Sequence, residues 1–260
     1  MVATPTPKVP AWPPRSAPRL FVSDRLGEGQ ILTLEGQQAH YLARVMRVSS
    51  GDAVILCDNI SGEWAAKVTE ADKRRVTVEL IEKLRERDEV PDFWLCPALL
   101  KKDRFDMVLE KASELGVRAL HPVIMRRCVA DKLNMERART VTIEAAEQCA
   151  RTALPALEEP RKLAAMLRDW PAERALFFAD EAQDSLPANR SAAHAFAAHN
   201  GPAALLIGPE GGFDDEERAM LHAHPQVQAI SLGPRILRGE TAAIAATALW
   251  MGVRGDWADD

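Results

Sequence analysis

Ala203-Ala204-Leu205-Leu206-Ile207-Gly208-Pro209-Glu210-Gly211-Gly212-Phe213 is the stretch on which the fold turns. Five apolar residues bounded by glycine read as a short buried strand. Three glycines and a proline shape the loop after it, and Asp214-Asp215-Glu216-Glu217 then opens a helix. In open α/β sheets, ligands bind just beyond the carboxyl ends of strands, so this loop is well placed for a site. Its glycines let backbone approach a ligand closely. A turn leading into a well-capped helix explains the same residues without any ligand.

The loop also restricts what it could hold. A nucleotide site needs a helix N-terminus free to receive phosphate, and here four carboxylates fill that first turn. The spacing is not GxGxxG, and neither GxxxxGKS nor GxxxxGKT occurs in the chain. A phosphate-free nucleoside with a cationic centre fits better. A second loop, Ser231-Leu232-Gly233-Pro234-Arg235-Ile236-Leu237-Arg238-Gly239-Glu240-Thr241-Ala242-Ala243, follows another apolar strand and runs into an alanine-rich helix.

Working outward, strands are predicted over residues 93–100, 117–125, 175–179, 203–207 and 227–232. Helices are predicted over 103–116, 135–150, 214–222 and 240–253. Such alternation implies a parallel sheet with helices on both faces. Residues 19–22, 30–34, 53–57 and 76–80 read as short strands, with a helix over 37–47 among them. Together they predict a small β-barrel. The charge-dense residues 82–92 mark a boundary between domains at 19–86 and 90–255, after a proline-rich flexible tail at 1–18.

Composition narrows the function classes. Of 260 residues, 47% are hydrophobic and 27% charged, an ordinary globular balance. The longest apolar-rich run, residues 241–253, is too short to span a bilayer, which takes about 20 residues. The first 18 residues hold six prolines and no apolar block, so no secretory signal is expected. Cys57, Cys96, Cys128 and Cys149 match no metal or disulfide spacing; with His40 they read as structural, and reduced thiols imply a cytoplasmic protein. Net charge is −5, but residues 156–260, with 9 basic and 16 acidic side chains, carry all of the excess. Phosphate binding answers to local field, so an RNA partner stays open.

The two loops together, GPEGGF followed by LGPRILRGETAA, resemble the SPOUT superfamily of methyltransferases, and within it the bacterial 16S rRNA (uracil-N3)-methyltransferases. The likeness extends to residues 98–104, 110–117, 126–128, 145–151 and 40–47. It departs at Gly239, where the family commonly has Thr, and at Ala150, where it often has Gly.

The resemblance implies an α/β domain threaded into a deep trefoil knot, a PUA-like N-terminal β-barrel, and homodimers. It also implies S-adenosylmethionine in the knot, held by Gly208, Glu210, Gly211, Leu232, Gly233, Ile236, Leu237, Arg238 and Thr241. No metal is expected. Methylation at N3 of uracil must remove a proton or stabilise charge on two carbonyl oxygens. Arg238 is the candidate for the charge, and Glu240 or Glu210 for the proton. Helix capping by Glu240 and loop orientation by Glu210 are the alternatives. The target edge is normally paired, so the uridine must be unpaired or extruded. Arg44, Arg47, Lys101, Lys102, Arg104, Arg126, Arg127 and Arg151 are the candidate contacts to 16S rRNA or the small ribosomal subunit. A 2′-O-ribose methyltransferase, an RNA-binding assembly factor without catalysis, and a nicotinamide-dependent enzyme are the competing readings.

Overall fold

The computed structural model describes residues 12–181 and 191–258; most of the stretch expected as a flexible tail, residues 1–11, lies outside them. The chain divides into two units between Asp88 and Glu89.

The first unit is built from β1 (Arg19–Phe21), β2 (Ile31–Glu35), α1 (Gly36–His40), β3 (Ala53–Cys57), β4 (Glu63–Ala71) and β5 (Arg75–Arg85). Its five-stranded sheet has the order β1-β3-β4-β5-β2, antiparallel except where β1 runs parallel to β3. Val76, Val78 and Leu80 alternate with half-buried Thr77 and Glu79, as the period-two pattern predicts, and join Leu34, Val54, Leu56 and Val68 in one core. Strand β5 continues to Arg85, inside the stretch expected as a link. Arg85 pairs with Glu63 in register, and its guanidinium meets the buried Glu63 carboxylate at 2.7 Å, opposite Arg19 at 2.6 Å.

The helix expected over 37–47 is only partly α-helical. After α1 the chain widens into a π-helical turn, Tyr41–Met46, and stops at Arg47 in the left-handed region (φ 55°). The turn keeps Leu42 buried and leaves Arg44, Val45 and Met46 outside. Arg44 is exposed and Arg47 stands past the helix end, so they do not share a helical face.

The second unit begins with β6 (Phe93–Pro97), α2 (Lys102–Glu114), β7 (Ala119–Leu120), β8 (Val123–Ile124), α3 (Met135–Gln148), β9 (Ala156–Leu157), β10 (Arg161–Lys162) and α4 (Leu163–Arg168). It continues with β11 (Ala175–Ala179), α5 (Ala192–Ala198), β12 (Ala203–Ile207), α6 (Asp215–Ala223), β13 (Val227–Ile230) and α7 (Gly239–Val253). Six strands form a wholly parallel sheet in the order β13-β11-β12-β6-β7-β9. The single strand expected over 117–125 is instead two. Pro122 has no N–H for a ladder, so β7 ends beside β6 and β8 pairs separately with β10.

Helices cover both faces of this sheet, which is why its strands read as unbroken apolar runs. Phe177, Leu205 and Ile207 face α2, α5 and α7. Leu176, Phe178 and Leu206 face the other way, toward α4 and α6. Ala242, Ala243 and Ala246 bring α7 close to the strands, and Trp250 stacks on Phe93 at 4.8 Å.

Candidate functional site

Strands β11, β12 and β13 are neighbours, and the loops leaving their carboxyl ends enclose a cavity of about 400 Å³. That volume falls in the range of small-molecule sites, about 300–1,000 Å³. Ala179, Ile207, Leu232, Leu237 and Ala242 give it apolar walls. Three carboxylates (Asp180, Glu181, Glu210) and three guanidiniums (Arg104, Arg235, Arg238) supply its charge.

The loop after β12 is braced from several sides. Gly212 takes a positive φ of 67° and its N–H donates to the Pro209 carbonyl at 2.9 Å, closing a tight turn. Gly208 lies against the Phe213 ring, where a Cβ would sit 3.0 Å away, and Gly211 against Arg127, where a Cβ would sit 2.9 Å away. Phe213 is buried, edge-on to Phe178. Arg127 donates from Nη1 to the carbonyls of Gly211 (3.0 Å) and Phe213 (3.2 Å), and the Phe213 N–H donates to Glu181 Oε1 at 3.3 Å. Next, Asp214 and Glu217 form a reciprocal capping box at the start of α6. Backbone N–H donation from Glu217 holds the Asp214 carboxyl below its usual range, with help from Arg126 nearby. None of the four carboxylates from 214 to 217 lines the cavity.

Among the described residues, the loop after β13 has fewer ties. Gly233 has φ 102°, its N–H donates to Ser231 Oγ at 3.2 Å, and Ser231 pairs with Ser191 in an isolated bridge. Ile236 is 87% exposed at the cavity mouth. At the loop's end, Gly239 meets the beginning of the other loop: a Cβ there would lie 3.1 Å from Leu100 Cδ2 and 3.5 Å from the Gly208 carbonyl oxygen. A side chain at 239 would therefore press on the end of the Leu100 side chain.

Most of the expected donor residues line the cavity: Gly208, Glu210, Leu232, Gly233, Ile236, Leu237 and Arg238 do, whereas Gly211 and the exposed Thr241 do not. Glu240 is 9% exposed and stands just behind the lining. It does not cap the helix: its Oε2 is shut from solvent with no hydrogen-bond partner among the described residues, and its Oε1 lies 3.8 Å from Arg104 Nε.

Asp180 and Glu181 are the site residues that the sequence reading misses. They follow β11, a strand visible in the sequence, and the rule applied to the other two strand ends would have found them. The Asp180 side chain is fully buried between Arg218 Nε (3.1 Å) and His222 Nε2 (3.5 Å). Arg218 also reaches Glu181 at 2.7 Å. Burial opposes the charge on Arg218, but Asp180 and Glu181 outweigh it and hold the guanidinium above its ordinary range.

Four of the arginines expected at RNA are engaged with the protein itself. Arg151 is corrected outright. It is 7% exposed, and it donates to the carbonyls of Ser113 (2.8 Å) and Val117 (2.7 Å), which ties the end of α2 to the next strand. Arg104 pairs with Glu210 at 3.2 Å, Arg126 with Asp214 at 3.1 Å and with Glu216, and Arg127 braces the glycine loop. Lys101 and Lys102, at the start of α2, are exposed. Buried Cys57 and Cys96 have thiols pushed up by desolvation, Cys57 to about 12. Among the described residues no group of three His, Cys, Asp or Glu side chains is placed to hold a metal ion.

The cavity chemistry fits S-adenosylmethionine: Ala179, Ile207, Leu232 and Leu237 offer apolar contact to an adenine, and Glu181 and Glu210 offer negative charge to a cationic donor. Comparison with known proteins agrees. The model of an RNA methyltransferase domain matches residues 87–251, and that of an RNA methyltransferase PUA domain matches residues 34–81. The chain is 29% identical over 231 residues to ribosomal RNA small subunit methyltransferase E of Rickettsia conorii, covering 88% of this chain and 93% of the relative. It is 32% identical to the protein of the same name from Synechocystis, over 84% of this chain and 71% of the relative. The solved structure of ribosomal RNA small subunit methyltransferase E from Neisseria gonorrhoeae, bound to S-adenosyl methionine, superposes with a TM-score of 0.82 at 27% identity, covering 93% of this chain and all of that one. Among the described residues no helix is long and apolar enough to cross a membrane.

Proposed function

The chain belongs to the RNA methyltransferase family, carrying both its catalytic and its PUA domain, and from that premise we propose that it methylates N3 of a specific uridine in small-subunit (16S) ribosomal RNA with S-adenosylmethionine as donor. The observation that carries the reading is the cavity at the ends of β11, β12 and β13, whose walls suit a nucleoside without phosphate. When bound, S-adenosylmethionine supplies an electrophilic methyl group on a positively charged sulfur.

Gly208, Glu210, Leu232, Gly233, Leu237 and Arg238 hold the donor in this reading, joined by Asp180 and Glu181. Arg238 lines the cavity, and its guanidinium stabilises negative charge as it develops on the uracil carbonyl oxygens. Glu240 accepts the N3 proton, and its unpartnered buried oxygen supports that role over capping. Apolar walls exclude water from the transfer. Arg44, Arg47, Lys101 and Lys102 contact RNA phosphates, which position the substrate without reading its sequence. The trefoil threading belongs to the same reading, supported by the return of α7 from edge strand β13 to lie over β12 and β6. So does a cytoplasmic homodimer, which rests on the resemblance.

Mass mapping of small-subunit rRNA from a strain lacking this protein tests the proposal. One methylated uridine should revert to uridine, and the purified protein should restore it. Retention of every methyluridine would reject the function, and loss of a 2′-O-methyl group would reject the N3 assignment.

A further inference from the structure

We propose that Arg104, a side chain of α2, is the positioning residue that fixes Glu240 for proton removal by clamping it to the opposite donor loop. The inference rests on the uridine-N3 reading above. Three observations carry it.

First, the guanidinium lies between the two loops, with Nη1 3.2 Å from Glu210 Oε1 and Nε 3.8 Å from Glu240 Oε1. A planar fork can face two carboxylates at once, where an ammonium on a flexible stem acts as a point charge. Second, Glu240 is nearly enclosed, and its remaining oxygen has no hydrogen-bond partner among the described residues. A buried carboxylate without a counter-charge is costly, and Arg104 is the cation placed to offset it. Third, the loops meet where Arg104 bridges them. The absent side chain of Gly239 lets the second loop pack against Leu100 and the Gly208 carbonyl, so Glu210 and Glu240 come within reach of one residue.

Arg104 is held on the first turn of a 13-residue helix whose Phe105, Val108 and Leu109 are buried in the main core. Its backbone is therefore anchored independently of both loops. One guanidinium shared by two carboxylates leaves neither of them fully neutralised by it. The sequence alone places Arg104 at RNA phosphate. That role and the clamp make different kinetic demands.

The experiment compares wild type, Arg104→Gln, Arg104→Lys, Glu240→Gln and the Arg104→Gln/Glu240→Gln double variant. Single-turnover and steady-state methylation of small-subunit rRNA are measured alongside calorimetry with S-adenosylmethionine alone. General bases contribute about 10²–10⁴-fold, so Arg104→Gln should lower kcat by roughly thirtyfold or more while KM for RNA moves less than about threefold. Arg104→Lys keeps the charge without the fork and should lose about tenfold in kcat. In the double variant, removing Arg104 should cost less than about threefold beyond Glu240→Gln, because residues acting through one another are not additive. Donor affinity should weaken about tenfold in Arg104→Gln as the loops come apart. A raised KM for RNA with intact kcat would overturn the clamp in favour of a phosphate contact. Additive losses in the double variant, or full activity in Arg104→Lys, would also overturn it. Should the wild type bind donor yet methylate no rRNA, the uridine reading fails by itself. The calorimetric arm then decides on Arg104, and an unchanged affinity in Arg104→Gln would reject the clamp.

Discussion

The loop after β12 and the loop after β13 face each other across one cavity, yet they are held very differently. The first is pinned by Arg127 on one side, Glu181 on another, a buried Phe213 beneath and a capping box at its end. Among the described residues the second has a short Ser231–Gly233 turn, a bridge to Ser191 with the Ala192 N–H donating to the Ser231 carbonyl, and an isoleucine in open solvent. A preorganised surface needs no rearrangement when a ligand arrives, whereas a loosely tethered one can adjust around it. In the proposed reading the contrast divides the labour: the first loop is a fixed floor for the donor, and the second is the adaptable wall that brings Arg238, and Glu240 at the start of α7, to the substrate.

The largest expected effect tests whether the chemistry belongs to the second loop. Glu240→Gln should lower the single-turnover rate by about 10²–10⁴-fold and leave donor affinity within about threefold. An unchanged rate would leave Glu240 a structural residue of α7 and erase the division. Next come the glycines. Gly212→Ala would place a Cβ 2.4 Å from Glu181 Oε1 at φ 67°, so the Glu181 carboxylate would have to leave the Phe213 N–H that it accepts from. Denaturant unfolding should register about 2–3 kcal/mol of lost stability, within the range for strained backbone positions. Gly233→Ala meets nothing within 4 Å among the described residues, so about 1 kcal/mol is expected despite its positive φ. Equal or reversed costs would break the comparison. Arg127→Met removes two hydrogen bonds to the floor, each worth about 1 kcal/mol, and calorimetry should show donor binding weakened about fivefold to tenfold. The smallest effect is Ile236→Ser. A surface change is worth within about 0.5 kcal/mol, so melting temperature and donor affinity should hold, and a marked loss of affinity would show that Ile236 closes over the donor.

The parts of this protein that are readable from sequence are those whose physics is local. The apolar runs at 203–207 and 175–179 can hardly be anything but buried strands, and glycines after a strand announce a loop that something approaches. Helix α6 announces itself by the acidic residues of its capping box. Local reading fails where distant partners decide. Pro122 divides a strand because its two halves pair with different neighbours, β6 and β10. The helix widens at Tyr41 around a buried Leu42, a change that no period in the sequence reveals. The arginines are the clearest case. Arg104, Arg126, Arg127 and Arg151 carry the same charge whether they meet a phosphate, a carboxylate or a carbonyl, and only the fold shows that these four meet their own chain.

The contact of Gly239 with Leu100 couples what either position can accept. Residues 100 and 239 are far apart in the chain yet occupy one shared volume, so neither can be enlarged alone without penalty. Threonine introduced at 239 by itself should be deleterious, while the paired exchange with Leu100→Ala should be tolerated.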